Sequence, residues 1–130
     1  MAAKQKILIV DDDNNIAELI SLYLTKECFT CRIENDGESA LEAIRAFQPD
    51  LILLDLMMPG IDGFEVIHRL RENPETADIQ IVILSALNSK DDVVKGFNAG
   101  ANDFIMKPII MEKLLSCVVT QMQLVEAKAH

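Results

Sequence analysis

The sequence lacks several features that would assign it to a class at once. No apolar run approaches the roughly 18 residues that a membrane-spanning helix needs. The first apolar run, residues 7–10, is too short for the core of a signal peptide, so we expect a cytoplasmic protein with no membrane partner. There is no internal repeat and no low-complexity segment. The 130 residues predict a single domain over 1–130, with a core from about 6 to 122 and a short tail that buries nothing.

Basic residues and paired cysteines are also scarce. The chain has 12 Lys and Arg residues and 21 Asp and Glu residues. The resulting net charge of −9 argues against direct binding to nucleic acid. The odd cysteine count argues against a disulfide framework. Cys28 and Cys31 have the spacing of a zinc or redox pair, but a second pair is missing and no helix begins there. We interpret both as small core residues.

The chain is organised around an apolar stretch that ends in a carboxylate. Residues 51–54 have the pattern of a strand buried on both faces, Asp55 follows, and Pro59 and Gly60 break the chain into a loop. Strand and helix patterns alternate five times, which predicts a parallel sheet covered by helices on both faces. The predicted strands are 6–10, 29–33, 51–55, 79–84 and 103–106, and the predicted helices are 14–25, 38–47, 63–72, 91–98 and 111–125.

Helical spacing also predicts which side chains face the core. In the first helix the inward stripe includes Leu19, and in the fourth it consists of Val94 and Phe97. The methionines 57, 58 and 106 are interpreted as packing residues rather than a recognition surface.

Polar side chains stand where four predicted strands end. They are Asp11 and Asp12, Asp55, Ser85 and Lys107, and the carboxyl ends of parallel strands meet at one edge. Two unit charges ~4 Å apart repel by about 4 kcal/mol at an effective dielectric near 20, so three clustered carboxylates need a proton or a cation. Oxygen ligands of this kind suit Mg²⁺. A lysine can bind a phosphate oxygen, and a carboxylate can act as a nucleophile. These residues together predict phosphoryl transfer through an acyl phosphate.

These residues occur in a series of short motifs whose order and spacing are specific. The motifs are Ile-Leu-Ile-Val-Asp11-Asp12-Asp13, Asp36-Gly37-Glu38-x-Ala40-Leu41, Asp55-Leu-Met-Met-Pro59-Gly60-x-Asp62-Gly63, Leu84-Ser85-Ala86 and Ala99-Gly100-Ala101-x-Asp103-Phe104-x-x-Lys107-Pro108. From residue 6 to about 122 the chain resembles the CheY-like receiver domain of bacterial two-component response regulators. The resemblance implies a flavodoxin-like, doubly wound α/β fold with a five-stranded parallel sheet in the order 2-1-3-4-5 and five helices.

The resemblance also implies a role for each site residue. Asp55 would be the phosphoacceptor. Asp11 and Asp12 would hold Mg²⁺ (or Mn²⁺) together with Asp55 and the backbone carbonyl of Met57. Lys107 would bind the phosphoryl group. Such a protein is a switch that catalyses only its own phosphorylation and dephosphorylation, taking the phosphoryl group from a sensor histidine kinase or a phosphotransfer protein.

Further implications concern conformational change and partners. The bond between Lys107 and Pro108 is expected to be cis. Ser85 would move toward the phosphoryl group and Phe104 would rotate inward. The signal would leave through helix four, strand five and helix five toward an output domain or partner protein, and the same surface could form a homodimer.

Two departures from the family pattern matter. The positions two residues after Asp55 and Ser85 are Met57 and Leu87, which cannot hydrogen-bond an attacking water, and this predicts slow self-dephosphorylation. Glu34 places an extra acid near the cluster, and we expect it to face solvent.

Three alternative functions are considered for this sequence. A degenerate receiver serving only as an interaction module would have lost an acid or the lysine, and all are present. A hydrolase with an aspartate nucleophile needs a second acid two residues on, where Met57 stands. A nucleotide-binding domain would have a glycine-rich loop after the first strand, which here is acidic.

Overall fold

The computed structural model of the chain describes residues 4–87 and 89–129. Five parallel strands form one sheet in the order β2-β1-β3-β4-β5, which confirms the predicted topology. The strands are β1 (Lys6–Val10), β2 (Thr30–Glu34), β3 (Leu51–Asp55), β4 (Gln80–Ser85) and β5 (Asp103–Met106). The helices are α1 (Asn14–Lys26), α2 (Gly37–Phe47), α3 (Gly63–Glu72), α4 (Lys90–Ala99) and α5 (Met111–Ala129). In this part of the chain no helix is both long enough and apolar enough to cross a membrane.

The sheet separates two hydrophobic clusters because side chains alternate along each strand. Leu51 and Leu53 point to the face that carries α1 and α5, whereas Ile52 and Leu54 point to the face that carries α2 and α3. All of β3 and β4 is buried, but the edge strand β2 is largely exposed or half-buried. This difference explains why β3 reads as an unbroken apolar run and β2 as a polar one.

The predicted inward face of α4 was wrong, and that of α1 was wrong at one residue. Ile20 and Leu24 of α1 are buried as the helical spacing predicts, but Leu19 is 59% exposed. Val94 and Phe97 are 55% and 45% exposed.

The inward face of α4 is built on a glycine. A Cβ at Gly96 would lie 2.7 Å from Ile83 Cδ1 and 3.3 Å from the Phe104 ring, so only glycine lets the helix lie this close to β4 and β5. Glycine adds nothing to an apolar stripe, so the spacing of Val94 and Phe97 indicated the wrong face.

Other packing predictions also need correction. Met58 is buried, but Met57 and Met106 are 59% and 52% exposed, so two of the three methionines are surface residues. Cys31 packs against the core, whereas Cys28 is exposed and belongs to a turn.

The predicted fraying tail is helical as far as the described residues extend, since α5 continues to Ala129. Lys128 Nζ donates to Gln80 Oε1 at 2.7 Å, and Gln80 Nε2 donates to Gln121 Oε1 at 2.5 Å. His130 lies outside the described residues.

We expect Cys28→Gly to stabilise the protein. Cys28 follows the C-cap of α1 and has a left-handed φ of 72°. Its backbone N–H donates to the Thr25 carbonyl, and the N–H of Phe29 donates to the Leu24 carbonyl. A left-handed residue with a Cβ costs about 1–2 kcal/mol, partly offset by the greater freedom of glycine in the unfolded chain. Urea unfolding should therefore show a gain of roughly 0.5–1 kcal/mol. The matched variant Cys28→Ala removes the thiol but keeps the Cβ, and an equal gain there would contradict the explanation.

Candidate functional site

Three carboxylates meet at the carboxyl edge of the sheet. Asp11 and Asp12 follow β1 and Asp55 ends β3, and the parallel pairing of Val10 with Leu54 makes the two strand ends adjacent. One oxygen from each of the three lies within 4.8 Å of the others. Asp11 is fully buried and Asp55 is 5% exposed, while Asp12 is open to solvent. The three predicted metal ligands with side-chain oxygens are therefore together.

The two buried carboxylates are oriented by the backbone that follows them. Asp11 Oδ1 accepts from the N–H of Asp13 at 2.9 Å, and Asp55 Oδ1 accepts from the N–H of Met57 at 3.1 Å. The remaining oxygens, both Oδ2, share the ammonium group of Lys107, at 2.8 Å from Asp11 and 3.4 Å from Asp55. Each carboxylate thus has one oxygen held by its own loop and one directed to the shared centre.

Lys107 reaches the centre from the end of β5. The backbone N–H of Lys107 donates to the carbonyl oxygen of Ser85 at 2.8 Å, and the peptide bond between Lys107 and Pro108 is cis. Burial by itself would lower the pKa of the Lys107 ammonium, but its hydrogen bond to Asp11 and the negative charge of Asp55 outweigh burial and raise the pKa. The lysine is therefore held as a cation.

The electrostatics of the cluster favour an added cation. Burial raises the pKa of Asp55, the charge of Asp11 raises it further, and the Met57 N–H and Lys107 oppose the rise only in part. One ammonium faces three carboxylates, so negative charge remains uncompensated. The donors are all oxygen, which suits Mg²⁺ or Mn²⁺, and the exposure of Asp12 leaves room for the waters that Mg²⁺ keeps. The residues present fit such an ion.

The two predicted switch residues occupy neighbouring strands. Ser85 is fully buried at the end of β4, where its Oγ accepts from the N–H of Leu87 at 3.1 Å. Phe104 lies on β5 and is half-buried under α4, with Gly96 against its ring. Ser85 pairs with Met106 and Phe104 pairs with Ile83, so the two switch residues are offset by two residues on adjacent strands.

Two residues that shape the site did not stand out in the sequence. Asn35 precedes Asp36 and Gly37 in a pattern that indicates only a turn. Its Nδ2 nevertheless donates to the Asp11 carbonyl oxygen at 2.8 Å and holds the loop after β1. Gly63 appears in the sequence as the start of a helix, yet a Cβ on it would lie 2.6 Å from the carbonyl oxygen of Asp55 and 2.8 Å from Leu56 Cα. The sequence around Asn35 and Gly63 indicates a turn and a helix start. It does not indicate that these residues contact the backbone of Asp11 and Asp55.

Glu34, which is expected to face solvent, is only partly exposed. Its side chain is 19% exposed and pairs with Arg32 at 3.0 Å along the edge strand. The pairing gives this extra acid a partner of its own.

Comparison with known proteins identifies the sequence pattern. Residues 7–119 match the family model of the response regulator receiver domain. The DNA-binding response regulator MtrA of Mycolicibacterium paratuberculosis is 43% identical over 115 residues, which are 88% of this chain and 50% of that protein. The chain therefore spans about half the length of this curated relative.

Solved structures show the same fold. A CheY-like response regulator receiver domain protein from Methanospirillum hungatei superposes with a TM-score of 0.90 at 25% identity, covering 97% of this chain and 99% of that one. The BeF3-activated N-terminal receiver domain of Klebsiella pneumoniae RstA superposes with a TM-score of 0.83 at 34% identity, covering 90% and 97%.

Proposed function

The chain belongs to the response regulator receiver family of phospho-accepting signalling domains, and on that premise we propose that Asp55 is its phosphoacceptor. The donor would be a phosphohistidine of a sensor histidine kinase or a phosphotransfer protein. One observation carries the proposal: the buried Asp55 has one oxygen held by the Met57 N–H and the other 3.4 Å from Lys107 Nζ. The N–H fixes the carboxylate, and the ammonium lies where negative charge on an incoming phosphoryl group would develop.

The cation is part of the same proposal. Asp11, Asp12, Asp55 and the backbone carbonyl of Met57 would hold Mg²⁺ or Mn²⁺, which when bound supplies charge neutralisation for the phosphoryl oxygens. Asp11 also holds Lys107 at 2.8 Å, so the lysine is already positioned before phosphorylation. We propose that this self-phosphorylation and the later hydrolysis are the only reactions that the chain catalyses.

The signal would pass through Ser85 and Phe104 to the surface of α4, β5 and α5. The exposed apolar side chains of Val94, Phe97 and Met106 on α4 and β5 support this route, because a surface that changes partners needs apolar area to bury. We propose that residues 1–130 act as one receiver domain. Its effect would be on an output domain or partner protein, or on a second copy through the same surface. MtrA is described as DNA-binding, but the net charge of this chain, −9, argues against direct contact with DNA.

Beryllofluoride binding tests the proposal because this adduct on a carboxylate mimics an acyl phosphate. Amide NMR spectra recorded with beryllofluoride should change only when Mg²⁺ is present. The changes should begin at Asp55 and Met57 and extend to Ser85, Phe104 and α4. Mg²⁺ binding without a beryllofluoride adduct would instead favour the degenerate receiver that acts only as an interaction module.

We expect the phosphorylated protein to lose its phosphoryl group slowly, and Met57→Asn to speed that loss about tenfold. A methionine cannot orient water, whereas an amide can, and positioned polar groups contribute rate factors of this order or larger. Met57 is 59% exposed, so the change costs little stability. Phosphoryl loss after removal of an acyl phosphate donor is the measurement. Met106→Asn, at a similarly exposed methionine on β5, is the control. An already fast native rate would contradict the prediction.

A further inference from the structure

A second recess lies at the opposite edge of the sheet from the three carboxylates. It is a half-open hollow of about 680 Å³ between the C-terminal parts of α2 and α3. Its apolar lining includes Leu41, Ile44, Leu70 and Ile79, of which Ile44 and Leu70 are almost fully buried. Hollows of roughly 300–1,000 Å³ with an apolar lining and a few polar groups are typical of small-molecule sites.

The polar residues around this hollow are Arg45, Gln48, Arg69, Asn73, Glu75 and Thr76, and several of them have unused hydrogen-bond donors. Within residues 4–87 and 89–129, Arg45 makes no ion pair or side-chain hydrogen bond. Arg69 meets Glu65 only through Nε at 3.4 Å, with both side chains about half exposed, so this contact is weak and the terminal nitrogens stay available. Asn73 uses its Oδ1 to accept from the N–H of Glu75, which leaves its amide nitrogen for another acceptor.

The charge of the hollow contrasts with that of the whole molecule. Two arginines and one acid, Glu75, line it, although the chain carries a net charge of −9. Both arginines lie in the last turns of their helices, where a positive charge is favourable. That role accounts for their charge but not for the apolar hollow between them. A guanidinium group also matches the two oxygens of a carboxylate, sulfonate or phosphate group.

We propose that this hollow binds an organic anion. Its aromatic or aliphatic body would lie against Leu41, Leu70 and Ile79, and its acidic group would be held by Arg45 and Arg69. The site is separate from the phosphoacceptor at the other edge, so it holds whether or not Asp55 is phosphorylated. A small organic anion bound there would act on the receiver as a second signal, chemically distinct from phosphorylation.

Naphthalene-2-sulfonate is a suitable probe, with naphthalene-2-methanol as its neutral counterpart. Both are titrated without Mg²⁺ while the backbone amides and the arginine Nε–H groups are followed by NMR. We expect the sulfonate to shift the Arg45 and Arg69 side-chain signals and the amides of Leu41 and Ile79. The neutral compound should bind roughly tenfold more weakly, because it makes no charged hydrogen bond. Equal binding of the two compounds, or shifts centred on Lys107, would overturn the proposal.

Substitutions locate the site. The double variant Arg45→Gln, Arg69→Gln should bind the sulfonate at least roughly tenfold more weakly. Arg32→Gln, which removes an arginine on the edge strand outside the hollow, should leave binding unchanged. Leu41→Trp fills the hollow without altering its charge and should also weaken binding, so it decides the question if the double variant is unstable. Unchanged affinity in Leu41→Trp, or in a folded double variant, would show that the arginines serve only their helix ends.

Discussion

Asp55→Asn is expected to abolish Mg²⁺-dependent beryllofluoride binding and phosphorylation altogether. The substitution keeps the size and shape of the side chain, and its amide oxygen can still accept from the Met57 N–H. It removes the proposed nucleophile, which is one of the three clustered carboxylates and one of the two that contact Lys107. Phosphorylation by an acyl phosphate donor and the beryllofluoride-dependent NMR changes should both fall below detection.

The loss should not come from unfolding. Asp55 is buried beside Asp11, and burial and that neighbour raise its pKa, so the metal-free protein gains by losing this charge. We expect Asp55→Asn to be at least as stable as the native chain in urea without Mg²⁺. Asp62→Asn makes the same chemical change at a residue that caps α3, and it should retain beryllofluoride binding. Residual phosphorylation of Asp55→Asn at another acid would contradict the assignment of the acceptor.

Gly63→Ala is expected to damage both the fold and the site. A methyl group there would lie 2.6 Å from the Asp55 carbonyl oxygen and 2.8 Å from Leu56 Cα. Both atoms belong to the backbone that carries Asp55, the proposed phosphoacceptor, so α3 and the end of β3 must separate. Overpacking of this kind costs about 1–3 kcal/mol, and we expect the upper part of that range in urea unfolding. Mg²⁺ affinity should fall as well, because the loop that holds Asp55 and the Met57 carbonyl shifts.

Gly60→Ala provides the comparison for this prediction. Gly60 lies in the same loop with a φ of 79°, but a Cβ on it would meet nothing within 4 Å. The Gly60→Ala variant should therefore lose about 1 kcal/mol of unfolding free energy through backbone strain alone, and it should keep its Mg²⁺ affinity. If Gly63→Ala resembles Gly60→Ala in both measurements, close packing at Gly63 does not position Asp55.

The sequence alone was sufficient for the order of elements and for the residues at the strand ends. Short apolar runs bounded by turn residues, such as residues 51–54, favour buried strands, and a parallel sheet brings the ends of all its strands to one edge. For that reason Asp11, Asp12, Asp55 and Lys107 could be placed together before any contact was known. The boundaries of the strands agree with the structure to within one residue.

Tertiary structure decided what local pattern does not encode. Whether α4 turns Gly96 or Phe97 toward the sheet depends on the space left by Ile83 and Phe104, which are near in space but not adjacent in sequence. The hydrogen bond from Asn35 to the Asp11 carbonyl depends likewise on the docking of the loop after β2 onto the loop after β1. Spacing along the chain measures periodicity within one element. Close approach between elements depends on the packing of the whole sheet and its helices. For this reason the sequence predicted which residues gather at the strand ends but not their fine positioning.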